Sequence, residues 1–217
     1  MKSSPVPARV SPAVALAAVF ALTLTVATVA RAEGWSEVGD AGDLVASAQS
    51  TVGSGPLQQI TGALASPTDV DLYCIRLLSV PPTGLPLVQL QCVVINGPNV
   101  WLFDALGNGV FLSQNCSGGS KTIVAPNYSL PAGIYYVAVS YSDFDAQSAG
   151  GAMWLSAPIG QRAPDGPGAT GVLTGWAGSP NVQPINPYTI NLEGMGYCEA
   201  PTPASSGSWG RVKGMYR

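Results

Sequence analysis

The sequence contains no histidine, and only 10% of its 217 residues are charged. Without imidazole, the chain can build neither a Ser-His-Asp triad nor a histidine-ligated metal site. The low charge, the 26 glycines and the 19 prolines argue against a coiled coil and against an acidic disordered tail. The composition instead predicts an exported domain that is rich in β-strands and turns.

The first 32 residues have the organisation of an export signal. Lys2 and Arg9 provide a basic start, residues 13–30 carry no charge, and Ala30-Arg31-Ala32 matches the small-x-small cleavage pattern. We therefore expect cleavage after Ala32. The apolar run is also long enough for an uncleaved membrane anchor. Its alanine- and threonine-rich composition and its cleavage pattern favour removal.

We expect four segments along the chain. They are a signal peptide at 1–32, an N-terminal segment at 33–56, a β-sandwich at 57–198 and a flexible tail at 199–217. After cleavage, six basic residues face twelve acidic ones, a formal charge of −6. Because such a chain repels phosphate backbones, we expect no nucleic-acid partner. We also expect no membrane association once the signal has been cleaved. The expected location is secreted, periplasmic or at the cell surface.

The residue pattern of the mature chain predicts short strands separated by turns. In residues 87–95, apolar side chains alternate with Gln89 and Gln91, the period of a strand that is half-buried in a sandwich. The Asn108-Gly109 pair predicts a hairpin. Further strands are predicted at residues 70–78, 99–103, 110–112, 134–141, 153–156, 172–176 and 188–192. The predicted fold is all-β, a single jelly-roll-like antiparallel β-sandwich.

Four motifs follow one another along the chain. They are residues 69–75 (DVDLYCI), 101–109 (WLFDALGNG), 130–139 (LPAGIYYVAV) and 187–192 (PYTINL). Together they resemble the bacterial pre-peptidase C-terminal domain, whose pattern runs D-x-D-x-Y, then L-x-L-x-D-x-x-G, then L-x-A-G-x-Y-x-V. The resemblance implies a jelly-roll-like sandwich that serves as an accessory module of secreted proteins. It also implies that calcium or substrate binding occurs in some collagenase-associated relatives.

Four cysteines lie after the predicted cleavage site, at Cys74, Cys92, Cys116 and Cys198. Four thiolates could hold zinc, but the lack of a C-x-x-C pair and the oxidising compartment favour two disulfides. Strand parity turns Cys92 toward the core and Cys74 away from it, so these two cannot bridge. We predict Cys74–Cys198, which joins the two ends of the sandwich, and Cys92–Cys116.

Two pairs of aspartates are spaced by two residues at strand ends. Asp69 and Asp71 begin one predicted strand, and Asp143 and Asp145 follow another. Residues two apart on a strand point to the same side. If both loops lie at one end of the sandwich, the four carboxylates could share one Ca²⁺. The favoured alternative is that Asp69 closes a turn and Asp71 stabilises the sandwich rim.

Aromatic residues are concentrated between positions 135 and 154. We expect Trp101, Tyr136 and Trp154 to pack in the core, as most aromatic residues on strands do. Phe144, which lies between two aspartates, and Tyr141 are the candidate binding residues, on which a sugar ring or a protein partner could rest.

The sequence offers little material for catalysis. Without histidine, paired carboxylates are the readiest acid/base route, and the few glutamates after the signal lie near the predicted domain ends. No G-x-S-x-G elbow occurs. We therefore predict a non-catalytic exported module that binds a glycan, a matrix component or a protein. The alternatives are a structural or accessory domain of an exported assembly and, third, a carboxylate-based secreted hydrolase.

The export signal gives the first testable prediction. Protein recovered from the exported fraction should begin at Glu33, because the cleavage pattern ends at Ala32. N-terminal sequencing and intact mass should therefore find a chain of 185 residues. A chain that starts at Met1 and fractionates with membranes would contradict the cleaved-signal interpretation.

Overall fold

A computed structural model describes residues 33–91, 97–114, 119–127, 129–180 and 187–200. Within these ranges the chain forms strands and no helix. The strands are β1 (Glu33–Ser36), β2 (Gln49–Ser50), β3 (Leu57–Gly62), β4 (Val70–Leu77), β5 (Pro86–Gln91), β6 (Asn99–Asp104), β7 (Gly109–Ser113), β8 (Ser120–Val124), β9 (Gly133–Ser140), β10 (Phe144–Ser148), β11 (Gly151–Ala152), β12 (Gln161–Arg162), β13 (Gly175–Gly178), β14 (Tyr188–Leu192) and β15 (Met195–Tyr197).

Two larger sheets share one apolar core between them. The first sheet has the strand order β1-β3-β14-β5-β8, and the second has β12-β7-β6-β9-β4-β15, with β2 also paired to β4. Most neighbouring strands are antiparallel, but the β1–β3 and β2–β4 pairs are parallel. The predicted all-β sandwich is confirmed for the described residues, with two parallel pairs that an antiparallel sandwich does not include.

The main core fills the space between the first and second sheets. On β4, Tyr73, Ile75 and Leu77 face it, and every second residue of β14 from Tyr188 to Leu192 faces it from the opposite sheet. This alternation follows from the two-residue period of a strand, which sends successive side chains to opposite faces.

A second core lies on the other face of the second sheet. Val70 and Leu72 of β4 and Trp101 of β6 contribute to it. The third sheet (β11-β10-β13) and residues 44–48 cover it. Trp101 meets the rings of Trp154 and Trp176 edge to face, with centroids 5.2 and 5.4 Å apart. Because β4 and β6 are buried on both faces, their sequences are almost continuously apolar.

Most of the predicted strands occur in the structure. Those at 70–78, 99–103, 110–112, 134–141 and 188–192 are confirmed as β4, β6, β7, β9 and β14. The strand predicted at 87–95 is present as β5, and its residues 92–95 lie outside the described ranges. The strand predicted at 153–156 is wrong, because its first two residues form a bend that fills the second core. The strand predicted at 172–176 is displaced to β13.

The turn between β6 and β7 is organised by Asp104. Its Oδ1 accepts the backbone N–H groups of Leu106 and Asn108, each at 2.9 Å. Gly107 between them adopts a φ of 87°, a left-handed conformation that costs glycine little. The predicted hairpin at this position is therefore confirmed.

The sandwich begins earlier in the chain than the sequence predicts. Residues 33–56, expected to be a separate N-terminal segment, contribute β1 to the first sheet and β2 to the second. Both strands are short, so neither shows a recognisable two-residue alternation. Their parallel pairing partners lie 24 residues further along the chain, as Glu33 opposite Leu57 and Ser50 opposite Cys74 show.

A disulfide joins Cys74 on β4 to Cys198, which directly follows β15. Their Cα atoms are 5.4 Å apart, within the usual range for a disulfide. This is the pairing that parity and position predict, and it is possible because β15 pairs with β4. Cys92 and Cys116, the other predicted pair, lie outside the described residues.

Removal of this disulfide should destabilise the fold. The bond closes a loop of 124 residues, so a Cys74→Ser/Cys198→Ser variant should lose free energy of unfolding. We expect a loss of about 2–5 kcal/mol in urea denaturation. Reductant should then affect the variant less than the wild-type protein, since only Cys92 and Cys116 remain. Equal unfolding free energies for variant and wild type would contradict a structural role for the bond.

Candidate functional site

Three carboxylates converge at one end of the sandwich. Glu37, Asp40 and Asp71 each place one oxygen within 4.8 Å of the others, and we call this group the acidic cluster. Glu37 directly follows β1, Asp40 lies in the next loop, and Asp71 is the second residue of β4. β1 pairs with β3 in the first sheet, and the residues that follow β1 lie beside the start of β4 in the second sheet.

Asp71 is the buried member of the acidic cluster. It has the same parity on β4 as Tyr73, so its side chain enters the main core, and none of its surface is exposed. The Tyr188 hydroxyl donates to Asp71 Oδ2 at 2.6 Å, and the Tyr73 and Tyr188 hydroxyl oxygens are 2.7 Å apart. Asp71 Oδ1 has no hydrogen-bond donor. Tyr188 is therefore the one hydrogen-bond donor to this buried carboxyl group as long as neither Asp71 nor Glu37 carries a proton.

The two tyrosines reach this position because Gly62 leaves room for them. A Cβ on Gly62 would lie 2.4 Å from the hydroxyl oxygens of both Tyr73 and Tyr188. Any side chain at this end of β3 would displace the hydroxyl groups. The glycine is thus required by close packing rather than by an unusual backbone angle.

Burial sets the electrostatics of the acidic cluster. It raises the pKa of Asp71 to about 8, an effect to which the negative charges of Glu37 and Asp69 add and which the Tyr188 hydrogen bond opposes. Burial likewise raises the pKa of Tyr188. Among the described residues, the one salt bridge is Arg162–Asp165. No lysine or arginine of these residues therefore forms a salt bridge with the carboxylates of the acidic cluster.

Glu37 is held in place by backbone donors on both sides. Its Oε1 accepts the N–H of Ala41 at 3.2 Å, and its Oε2 accepts the N–H of Ala63 at 2.8 Å. These bonds fix the carboxylate against Asp71, close enough for the two carboxyl groups to share a hydrogen bond when one of them carries a proton. Asp40 is exposed, and its Oδ1 accepts the N–H of Gly42.

The four aspartates predicted to share a calcium ion are not brought together. Asp71 faces the main core, whereas Asp143 and Asp145 lie at β10, which covers the opposite face of the second sheet. The carboxylate of Asp69 accepts the N–H of Ala65, and its own N–H donates to Ser66 O at 3.1 Å. Asp69 therefore closes a turn, as the alternative interpretation proposed.

The acidic cluster includes two residues that the sequence analysis did not select. Glu37 and Asp40 lie in the segment that was assigned to a separate N-terminal region. Their three-residue spacing carries no recognisable metal motif. The available signal was the position of Glu37 two residues after Trp35, a residue suited to a strand, but only the β1–β3 pairing connects it to Asp71.

The aromatic side chains of the described residues are buried or half-buried. Trp101 and Trp154 pack in the second core as predicted, and Tyr136 packs half-buried against it. The prediction that Tyr141 is available for binding is wrong, since it is fully buried in the main core. Phe144 is half-buried and packs against the second core.

One lysine is also buried, which the sequence did not predict. Lys121 Nζ donates to Gly97 O at 2.6 Å and to Asn99 Oδ1 at 2.9 Å, and the side chain has no exposed surface. Burial lowers the pKa of Lys121 to about 8. Ser142 also donates to Gly97 O, so Lys121 and Ser142 together hold the backbone at Gly97 in place. Because the side chain of Lys121 is buried, it is inaccessible to a substrate.

An open cavity of about 350 Å³ lies between the start of β3 and the turn that connects β14 to β15. Glu193 is the one ionisable residue that lines it. A glycosidase-like site needs two carboxyl groups at a defined separation, so this cavity does not provide the pair.

Comparisons with known proteins add no assignment, because no protein-family model matches the chain and no curated protein matches it significantly. Within the ranges that the structure describes, no helix is long and apolar enough to cross a membrane.

The hydrogen bonds around Asp71 give a stability prediction. Tyr188→Phe keeps the ring but removes the donor to Asp71 and the contact with the Tyr73 hydroxyl. Because the buried carboxyl then loses its partner, we expect the free energy of unfolding to fall by about 1–3 kcal/mol in chemical denaturation.

Tyr136→Phe is the matched control, because Tyr136 is a half-buried tyrosine that packs against the second core. Its effect should stay within about 0.5 kcal/mol. Equal effects of the two substitutions would contradict a special role for the Tyr188 hydroxyl.

Proposed function

We propose that the chain is an exported, non-catalytic β-sandwich module that binds a matrix component or a protein at the end that carries the acidic cluster. The observation that carries the proposal is the acidic cluster itself: a group of carboxylates that pairs with no lysine or arginine of the described residues and is partly open to solvent at Asp40. Uncompensated charge at a surface attracts a partner of opposite charge and orients its approach.

Several features favour binding over catalysis. The ionisable side chains whose pKa values depart most from normal, such as Asp71 and Lys121, hold the interior together. The cavity at the β14–β15 turn has a single carboxylate. The resemblance to pre-peptidase C-terminal domains supports the same role, since it implies an accessory module of secreted proteins.

Partner chemistry follows from where the aromatic residues lie. Sugar binding commonly uses an exposed aromatic ring as a platform, and in the described residues such rings are turned into the two cores. A glycan held by stacking is therefore the less favoured ligand. A matrix component or protein that presents basic groups suits the carboxylates better.

The alternative, assembly through an exposed strand edge, is disfavoured by two glutamines. Gln161 binds both the N–H and the C=O of Val124 at the end of β8, at 2.7 and 2.9 Å. Gln49 binds both groups of Val38 in the same manner. Val124 ends the edge strand β8 and Val38 lies two residues after the edge strand β1, so at these two positions the backbone groups are not free to pair with an added strand.

The proposal is tested by retention of partners from the native exported fraction. Immobilised mature protein should retain a stoichiometric partner, and Asp40→Lys should weaken retention about tenfold or more by reversing a charge in the cluster. Glu193→Lys is the matched control, since it makes the same change at an exposed glutamate at the other end of β14. Equal retention by all three proteins, or retention of nothing, would contradict the proposal. Turnover of a polymer that depends on Glu193 would favour the hydrolase instead.

A further inference from the structure

We infer that the side chains of Lys121 and Asn99 form a covalent amide cross-link between the two larger sheets. Lys121 is the second residue of β8 in the first sheet, and Asn99 is the first residue of β6 in the second sheet. The bond is a modification that the chain carries out on itself. It goes beyond the proposed function and does not depend on it, because no partner takes part in the reaction.

The two reacting groups are already in contact. Lys121 Nζ donates to Asn99 Oδ1 at 2.9 Å, and neither residue has any exposed surface. Because Oδ1 is bonded to Cγ at about 1.23 Å, Nζ and Cγ are at most about 4.1 Å apart. Reacting atoms in a productive orientation lie about 3–3.5 Å apart. Small rotations of the two side chains therefore bring the amine nitrogen onto the amide carbon.

A second contact holds the amine in place. Lys121 Nζ also donates to Gly97 O at 2.6 Å, and the Ser142 hydroxyl donates to the same oxygen at 2.8 Å. The end of the lysine side chain is thus fixed between the Gly97 carbonyl and the Asn99 amide. Two groups held together by the fold react as if each were present at a very high concentration, because folding has already removed their translational and rotational freedom.

Burial makes Lys121 a better nucleophile than an ordinary lysine. Burial lowers the pKa of Lys121 to about 8 and is the one cause of this shift, so no carboxylate of the described residues stabilises the ammonium form. A substantial fraction of the molecules therefore carries a neutral amine near neutral pH. The neutral amine has the lone pair that attacks a carbonyl carbon.

Without the cross-link, two buried groups are left in an unfavourable state. When Lys121 is protonated, it is a buried cation that forms no salt bridge within the described part of the chain. Asn99 Nδ2 is buried and has no hydrogen-bond acceptor, although buried polar atoms almost always have a partner. Amide formation removes the positive charge together with Nδ2. The new amide N–H can still donate to Gly97 O, which already accepts from Nζ.

The reaction balances without a co-reactant. The lone pair of Lys121 Nζ attacks Asn99 Cγ, so that the Nζ–Cγ bond forms and the Cγ–Nδ2 bond breaks. One proton passes from Nζ to Nδ2, which leaves as ammonia. No atom is oxidised or reduced, so the step requires neither an oxidant nor a reductant.

The cross-link would connect parts of the fold that hydrogen bonds between strands do not connect. β8 forms one edge of the first sheet, and β6 lies inside the second sheet. The disulfide Cys74–Cys198, in contrast, lies at the β4–β15 pair of the second sheet. The two covalent bonds would therefore stabilise different parts of the sandwich, and reductant would open the disulfide alone.

The experiment measures the intact mass of the folded mature chain after its cysteines have been reduced and alkylated. We expect a mass that is lower than the sequence mass by one ammonia molecule. Lys121→Gln keeps an N–H donor for Gly97 O but has no amine, so this variant should show the full mass. Lys213→Gln is the matched control, because Lys213 is the one other lysine after the predicted signal, and this variant should still show the loss of ammonia.

The position of the bond is determined by digestion. Chymotrypsin cuts after Trp101 and Phe103, between the two cross-linked residues. We expect a branched peptide that contains both Asn99 and Lys121. Cleavage by trypsin after Lys121 should be absent, because trypsin requires a free lysine side chain.

Two results would overturn the inference. The first is the full sequence mass with no branched peptide in the wild-type protein. The second is a loss of ammonia that persists in Lys121→Gln, because the Asn96-Gly97 and Asn108-Gly109 pairs can also lose ammonia by cyclisation with the backbone, without any lysine. If Lys121→Gln does not fold, the presence or absence of the branched peptide in the wild-type protein decides.

Discussion

Burial of β4 on both faces is the constraint on which the rest of the structure depends. One face of this strand supplies Tyr73, Ile75 and Leu77 to the main core, and the other supplies Val70 and Leu72 to the second core. A strand buried on both sides cannot accept a polar residue without a partner. Asp71 is therefore held by Tyr188 from the facing sheet, and the position of that tyrosine is fixed in turn by the space at Gly62.

The strands that could be predicted from the sequence are those whose own residues carry the pattern. β14 shows a clean alternation, and the β6–β7 hairpin carries both an Asn-Gly pair and an aspartate that binds the turn. β1, β2 and β15 could not be predicted, because strands of two to four residues are defined by their neighbours rather than by their own periodicity. In the third sheet, β13 was predicted a few residues too early, and β10 and β11 were not predicted, because neither shows a clear apolar alternation in its own residues.

The candidate site was only partly predictable, and the reason is again distance along the chain. Asp71 was selected from its position at a strand start, but its spacing to Asp69 suggested a shared role that the turn at Ala65 excludes. Asp143 and Asp145 are carboxylates, as a shared cation site would need, but they lie on the opposite face of the second sheet from Asp71. Glu37 and Asp40 could be found only once a parallel strand pair, which leaves no local mark in sequence, was known.

The register of the sheets also decides when this chain can fold. β3 pairs with β14, β4 pairs with β15, and Cys74 forms its disulfide with Cys198. Neither large sheet is therefore complete until the last described strands are available. Contacts between such distant segments form slowly, because loop closure must precede the gain from pairing. An N-terminal half that is made first would leave both faces of β4 only partly covered, because β14 and the third sheet come later in the chain. Both large sheets can therefore be completed only in a late folding step, after the C-terminal strands β14 and β15 have become available.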